Sequence, residues 1–243
     1  MNIEKAAALF WEQGFLHIEN VFDQQQMAAA SHEIDVHFGD NPTFLHEDEF
    51  LSGAKTEVVP WFPQREGGST IFDEIESNSL LMHLTEAILG EGWQSDYSMV
   101  MFSAKNTNGQ AWHQDCDPSN SRFFNLNRLI YSHDLDEQTR GYTSVVPGSH
   151  KLGLLPAGDP LAAPCDSVLT LKPKRGDLLM LHGHTWHRVL PTHQVRRHSI
   201  NYRSVGRSVP KDLTDICVYR NMRYRFSTSE VTEVRKPTDE YSE

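Results

Sequence analysis

The sequence predicts a mainly β protein with α: an antiparallel jelly-roll core behind N-terminal buttressing helices. Three observations carry that expectation. Helix signals are confined to about residues 1–92, short β-type runs fill about 93–226, and turn residues separate those runs. The 243 residues are enough for one large core, and no linker, repeat or low-complexity segment divides them, so a single domain over 1–243 is expected.

Each element has its own reason. Ile3 to Trp11 is built of helix formers and stops before Gly14, a helix-terminating glycine. Phe15-Leu16-His17-Ile18 alternates as a short strand. Asp23 is an N-cap for a helix from Gln24 to about Phe38. Residues 40–79 are polar and broken by Pro42, Gly53, Pro60, Pro63 and Gly67-Gly68, which predicts a long surface excursion lining a site. Ser79 to Leu89 is a third helix, stopped at Gly90. Strand runs then follow over 95–104, 111–115, 127–133, 143–147, 167–171, 177–182 and 199–205. The tail, 227–243, is polar and acidic and is expected to fray.

Composition narrows the function. A formal charge of −11 argues against a general nucleic-acid binder, whose affinity rests on Lys and Arg neutralising phosphates. No apolar run approaches the roughly 18–20 residues of a membrane span. The N-terminus lacks a basic leader and cleavage site, so a cytoplasmic protein is expected. Three widely spaced cysteines make neither a disulfide frame nor a cysteine zinc site. Histidine is the outlier: seven of the 13 fall between His133 and His198, which raises the question of a metal.

Ala111-Trp112-His113-Gln114-Asp115 carries the chemistry. On a strand, residues i and i+2 share a face, so His113 and Asp115 can chelate one ion. A third ligand is available from His182, His184 or His187, downstream of Gly176-Asp177. Two imidazoles and one carboxylate make the facial triad of non-haem Fe(II) oxygenases and leave positions open for a chelating co-substrate and O₂. The same donors also suit Zn²⁺ with an activated water.

Five stretches, in order, point to one family. They are Phe10–Val21, Trp112-His-Gln-Asp115, Val146-Pro-Gly-Ser-His-Lys151, Gly176-Asp177 with His187, and Arg196-Arg197. From Phe10 to about Ser204 the chain resembles the phytanoyl-CoA dioxygenase-like Fe(II)/2-oxoglutarate enzymes, whose core is a cupin-like double-stranded β-helix. The resemblance selects His187 as the third metal ligand beside His113 and Asp115. It implies Fe(II), 2-oxoglutarate and O₂ as cofactor and co-substrates. Arg197 is the expected anchor for the far carboxylate of 2-oxoglutarate, with Ser199 on the same strand face; Arg196 faces oppositely. Met101 and Tyr131 correspond to co-substrate contacts, and Arg203 and Asn127 are assigned to the substrate side. The implied activity is hydroxylation of a small molecule, with 2-oxoglutarate decarboxylated to succinate and CO₂. A zinc hydrolase and a non-catalytic jelly-roll binding protein are the alternatives. The loop Arg140-Gly141-Tyr142-Thr143 departs from the family pattern. Trp112 and Trp186 read as packing aromatics, His150 as a structural hydrogen-bonding residue, and the basic run Tyr219–Arg225 as a solvated strand or lid face.

Overall fold

A computed structural model of the chain describes residues 1–40, 48–63, 70–210, 213, 216–225 and 236–237. The tail expected to fray lies outside these residues, apart from two near its middle.

Three helices have the ends the sequence predicts. Helix α1 (Ile3–Gln13) ends at Gly14, whose φ of 81° is the left-handed region that favours glycine. After strand β1 (Phe15–Ile18), helix α2 (Gln24–Phe38) starts at Asp23, whose carboxylate accepts from the amides of Gln25 and Gln26. The 40–79 excursion is more structured than a surface loop. It contains α3 (Asp48–Ala54), β2 (Val59–Trp61) and α4 (Ile71–Glu76). Its Phe50, Val58, Trp61, Phe62 and Phe72 are buried. Single large apolar residues spaced between prolines and glycines are enough to seat each short element, although no periodic pattern announces them. Helix α5 (Ser79–Leu89) ends before Gly90.

The strands that follow are β3 (Gln94–Ser103), β4 (Gln110–Gln114), β5 (Asn125–Ile130), β6 (Thr143–Val145), β7 (Leu169–Leu171), β8 (Leu178–His182), β9 (His187–Val189), β10 (Arg197–Val205), β11 (Ile216–Tyr219), β12 (Met222–Arg225) and β13 (Lys236–Pro237). Among the described residues they form two antiparallel sheets. One has the order β1-β8-β5-β10-β3-β2, the other β13-β12-β11-β4-β9-β6-β7. Non-consecutive neighbours in both sheets give the jelly roll.

The six-stranded sheet turns its apolar face outward. Leu126, Ile130, Leu178, Met180, Val100, Phe102, Ile200 and Tyr202 pack with Phe10, Met27, Ile34, Leu81 and Ile88 of the helices in one core cluster. The helices therefore cover a face that would otherwise meet water, which is why they are buttresses rather than appendages. The alternate residues face the interior between the sheets. On β10 these are Arg197, Ser199, Asn201 and Arg203, all buried. The strand carries a polar interior face, while Ile200 and Tyr202 on its other face join the helix-covered core, and that polar interior builds the site.

Candidate metal centre and co-substrate pocket

Strands β4 and β9 bring the ligands together. His113 pairs directly with His187 across the antiparallel ladder. A register shift between Gln110 and His113 places one extra residue on β4, so both of them face the cavity opposite Val189 and His187. Asp115 follows the end of β4, where its amide donates to the Gly183 carbonyl and Asn125 Nδ2 donates to its own carbonyl. One ligand atom from each of His113, Asp115 and His187 lies within 4.8 Å of the others, and all three residues are buried.

Both imidazoles are held from behind. His113 Nδ1 donates to the Ala111 carbonyl at 2.8 Å, and His187 Nδ1 to the Thr185 carbonyl at 2.8 Å. A carbonyl only accepts, so Nδ1 carries the proton and Nε2 is the nitrogen presented to the cavity. Burial, with the His187 ring beside it, pushes the His113 imidazole down to about 3, so it is neutral and able to ligate. Burial alone would raise the Asp115 carboxyl. The Arg203 guanidinium together with the His187 and His113 rings outweighs it, and the three hold Asp115 well below the usual carboxylate range. Two neutral nitrogen donors and an anionic oxygen suit a divalent metal.

A second feature shares the cavity. His113, Asp115 and His187 line it together with Arg197, Ser199, Met101 and Thr143. Arg197 is buried, yet its Nε and Nη2 meet no acceptor among the described residues, and neither does the Ser199 hydroxyl. Two open guanidinium nitrogens beside an open hydroxyl can hold an anion with two oxygens. The Tyr131 ring lies under this guanidinium at 5.7 Å, and its hydroxyl shares a hydrogen bond with Thr143 at 3.0 Å. Gly141 makes room for it: a Cβ there would stand 2.9 Å from Arg197 Cγ. The loop that departs from the family pattern is thus the floor beneath Arg197.

Arg196 points the other way, to Asp35 at 2.8 Å and the Gly39 carbonyl at 2.6 Å, on α2 and at its end. His182 and His184 lie outside the triad. His182 stacks on Phe124 at 4.0 Å, and His184 continues the same ring cluster at 4.9 Å from His182. Arg203 and Asn127, assigned from the sequence to the substrate side, both hydrogen-bond the ligand carboxylate. Arg203 Nη2 donates to Asp115 Oδ1 at 2.6 Å, and Asn127 Nδ2 donates to Asp115 Oδ2 at 2.9 Å. Both are buried against the ligand carboxylate, and Arg203 also lines the cavity. The period of two predicts their shared face; it does not reveal that Asp115 lies between them. Asn201 also lines the cavity and lies on that face by the same alternation, although the sequence reading does not single it out. No pattern signals Thr143.

The motif residues around the site are braces. Ser149 donates to the Val146 carbonyl and accepts from the Trp186 amide, which fixes the chain one residue before His187. Asp177 accepts from His17 Nε2 at 2.9 Å and from the amides of Asn20 and Lys174, tying β1 to β8. Trp112 and Trp186 pack with Val146 and Leu155 in one buried cluster. The basic run is structural too: Arg220 donates to the carbonyls of Pro156, Ala157, Asp159 and Ala162, and Arg223 pairs with Asp117.

Residues 10–198 match the sequence model of the phytanoyl-CoA dioxygenase (PhyH) family. No curated protein gives a significant sequence match. Among solved structures, the chain is similar to the epimerase SnoN in complex with Fe3+, alpha ketoglutarate and nogalamycin RO. That match has 19% identity, 90% of this chain, 86% of that one and a TM-score of 0.64. HygX from Streptomyces hygroscopicus, with nickel and 2-oxoglutarate bound, matches with 14% identity, 83% and 86% coverage and a TM-score of 0.62. EvdO2 from Micromonospora carbonacea var. aurantiaca, complexed with 2-oxoglutarate, matches with 16% identity, 83% and 90% coverage and a TM-score of 0.62. At these identities the likeness is one of fold.

Proposed function

The chain belongs to the phytanoyl-CoA dioxygenase family, and from that premise we propose that it is an Fe(II)/2-oxoglutarate-dependent dioxygenase that hydroxylates a small molecule. The observation that carries this reading is the pairing in one cavity of two sites. One is the buried donor set His113, Asp115 and His187; the other is the two open nitrogens of Arg197 with the Ser199 hydroxyl. The first fits a divalent metal and the second fits a carboxylate.

His113, Asp115 and His187 hold Fe(II), and Arg197 with Ser199 holds the far carboxylate of 2-oxoglutarate. When bound, iron and co-substrate together supply oxidation by O₂, with 2-oxoglutarate converted to succinate and CO₂ and one oxygen atom delivered to a substrate C–H bond. The protein's part is positional. The two Nδ1 hydrogen bonds fix both imidazole planes. A guanidinium stays charged when buried and can grip a carboxylate with two parallel hydrogen bonds. Met101, Leu129, Leu181 and Val189 line the same cavity with apolar surface and limit water around the co-substrate.

The deciding experiment is an anaerobic optical titration with Fe(II) and then 2-oxoglutarate, on wild type and Asp115→Ala. We expect a charge-transfer band that needs both additions and is lost in the variant. No band in wild type, with tight Zn²⁺ binding in its place, would overturn the reading. The related epimerase fold favours one further comparison. A product that has gained one oxygen supports hydroxylation, whereas succinate formed with a substrate of unchanged mass supports epimerisation.

A further inference from the structure

We propose that Arg203 is a positioning residue for the metal centre: with Asn127, it holds the Asp115 carboxylate in the one orientation in which His113 and His187 can share an ion with it. The inference rests on the metal reading above and goes beyond the three ligands.

Register places Arg203 for this task. It stands six residues beyond Arg197 on the interior face of β10, between Asn127 of β5 and Tyr97 of β3. Its Nη2 donates to Asp115 Oδ1 at 2.6 Å, its Nε to Asn127 Oδ1 at 2.7 Å and its Nη1 to the Tyr97 hydroxyl at 2.7 Å. A guanidinium has donors only, so the Asn127 oxygen must face it, and Asn201 Nδ2 donates to that same oxygen at 2.9 Å. The Asn127 NH₂ group is then committed to Asp115 Oδ2. Each carboxylate oxygen is therefore held by a different donor. The two oxygens meet the ligand nitrogens separately: Oδ1 lies 3.7 Å from His113 Nε2, and Oδ2 lies 3.3 Å from His187 Nε2. Rotation of the carboxylate would break both holds at once.

Charge adds a second effect. Asp115 gives the ligand set one negative charge, and Arg203 beside it offsets that charge. A doubly negative co-substrate then approaches a metal whose one anionic ligand is offset by a neighbouring cation. An ion pair serving only the fold would affect stability and leave the metal indifferent.

Metal alone can therefore test the idea. Metal-free wild type, Arg203→Lys and Arg203→Met are titrated with Co(II), followed by visible absorption, and their unfolding temperatures are recorded. A lysine keeps the charge, but a single ammonium cannot hold Asp115, Asn127 and Tyr97 together. We expect the folded Lys variant to bind Co(II) about 10-fold more weakly, with an altered spectrum, and the Met variant to lose more. A folded Lys variant within twofold of wild type, with the same spectrum, overturns the proposal. Should the Lys variant not fold, Tyr97→Phe decides. It removes one hydroxyl and no packed carbon, so binding weakened several-fold supports the proposal and unchanged binding overturns it. Failure of wild type to take up Co(II) would overturn the metal reading itself, a result distinct from an unaffected variant.

Discussion

Arg197 is a buried charge, two of whose nitrogens meet no acceptor among the described residues. An isolated buried cation costs several kcal/mol, and burial lowers the pKa of this guanidinium, with Tyr131 countering in part. On the proposed reading, a bound carboxylate would relieve that cost. Arg197→Met should therefore leave the unfolding temperature of the ligand-free protein unchanged or higher, while abolishing any stabilisation by 2-oxoglutarate; parallel thermal melts check both halves. Gly141 is the complementary case. Its φ of 57° opposes a side chain, and so does the 2.9 Å that would separate an added Cβ from Arg197 Cγ. Gly141→Ala should cost about 1–3 kcal/mol in denaturant unfolding and should weaken 2-oxoglutarate binding by displacing the guanidinium. At this scale the sequence is informative where spacing alone suffices: His113 and Asp115 share a face because they are two apart. It is uninformative between His182, His184 and His187, which are equally good ligands on paper. What separates them in space is a ring cluster built around Phe124, far along the chain from the histidines.

Single elements show where local pattern is enough. Helix ends are readable because their signals are local: Gly14, Asp23 and Gly90 each act within a turn. Strand β9 is not, since His187-Arg188-Val189 is too short to show alternation, and it exists because β4 and β6 flank it. The basic run is legible as non-catalytic, but its partners are not. Arg220 clamps four carbonyls of the 156–162 loop from the turn between β11 and β12. Arg220→Ala should release that loop, seen as faster limited proteolysis there and a loss of about 1–2 kcal/mol, with Co(II) affinity unchanged. Loss of metal binding in this variant would mean that the loop supports the centre, contrary to the arrangement described.

At the level of the whole molecule, the two-sheet architecture follows from the order of elements, helices first and short strands after. The inward polar face of β10 does not, because polar alternation there reads equally well as a solvent face. The interior between the sheets holds the His113, Asp115 and His187 donor set beside the two Arg197 nitrogens and the Ser199 hydroxyl that meet no partner among the described residues. Binding that is confined to the folded state must raise stability. With Co(II) and 2-oxoglutarate each at about 100 times Kd, every ligand adds about 2.7 kcal/mol, which for a chain of this size is about 5–10 °C in unfolding temperature per ligand. Absence of a shift for either ligand would contradict its assigned site. The first strand adds a constraint that concerns time. His17 is tied to Asp177 across 160 residues, and β1 closes the edge of β8. On a ribosome adding about 5–20 residues per second, the first helix and strand emerge roughly 10–30 s before the strand that completes them. During that interval the apolar faces of α1 and β1 have no sheet to lie on. Synthesis of this protein therefore includes a window in which its oldest segment depends on chaperones or on provisional contacts, and the metal centre can only form after that wait ends.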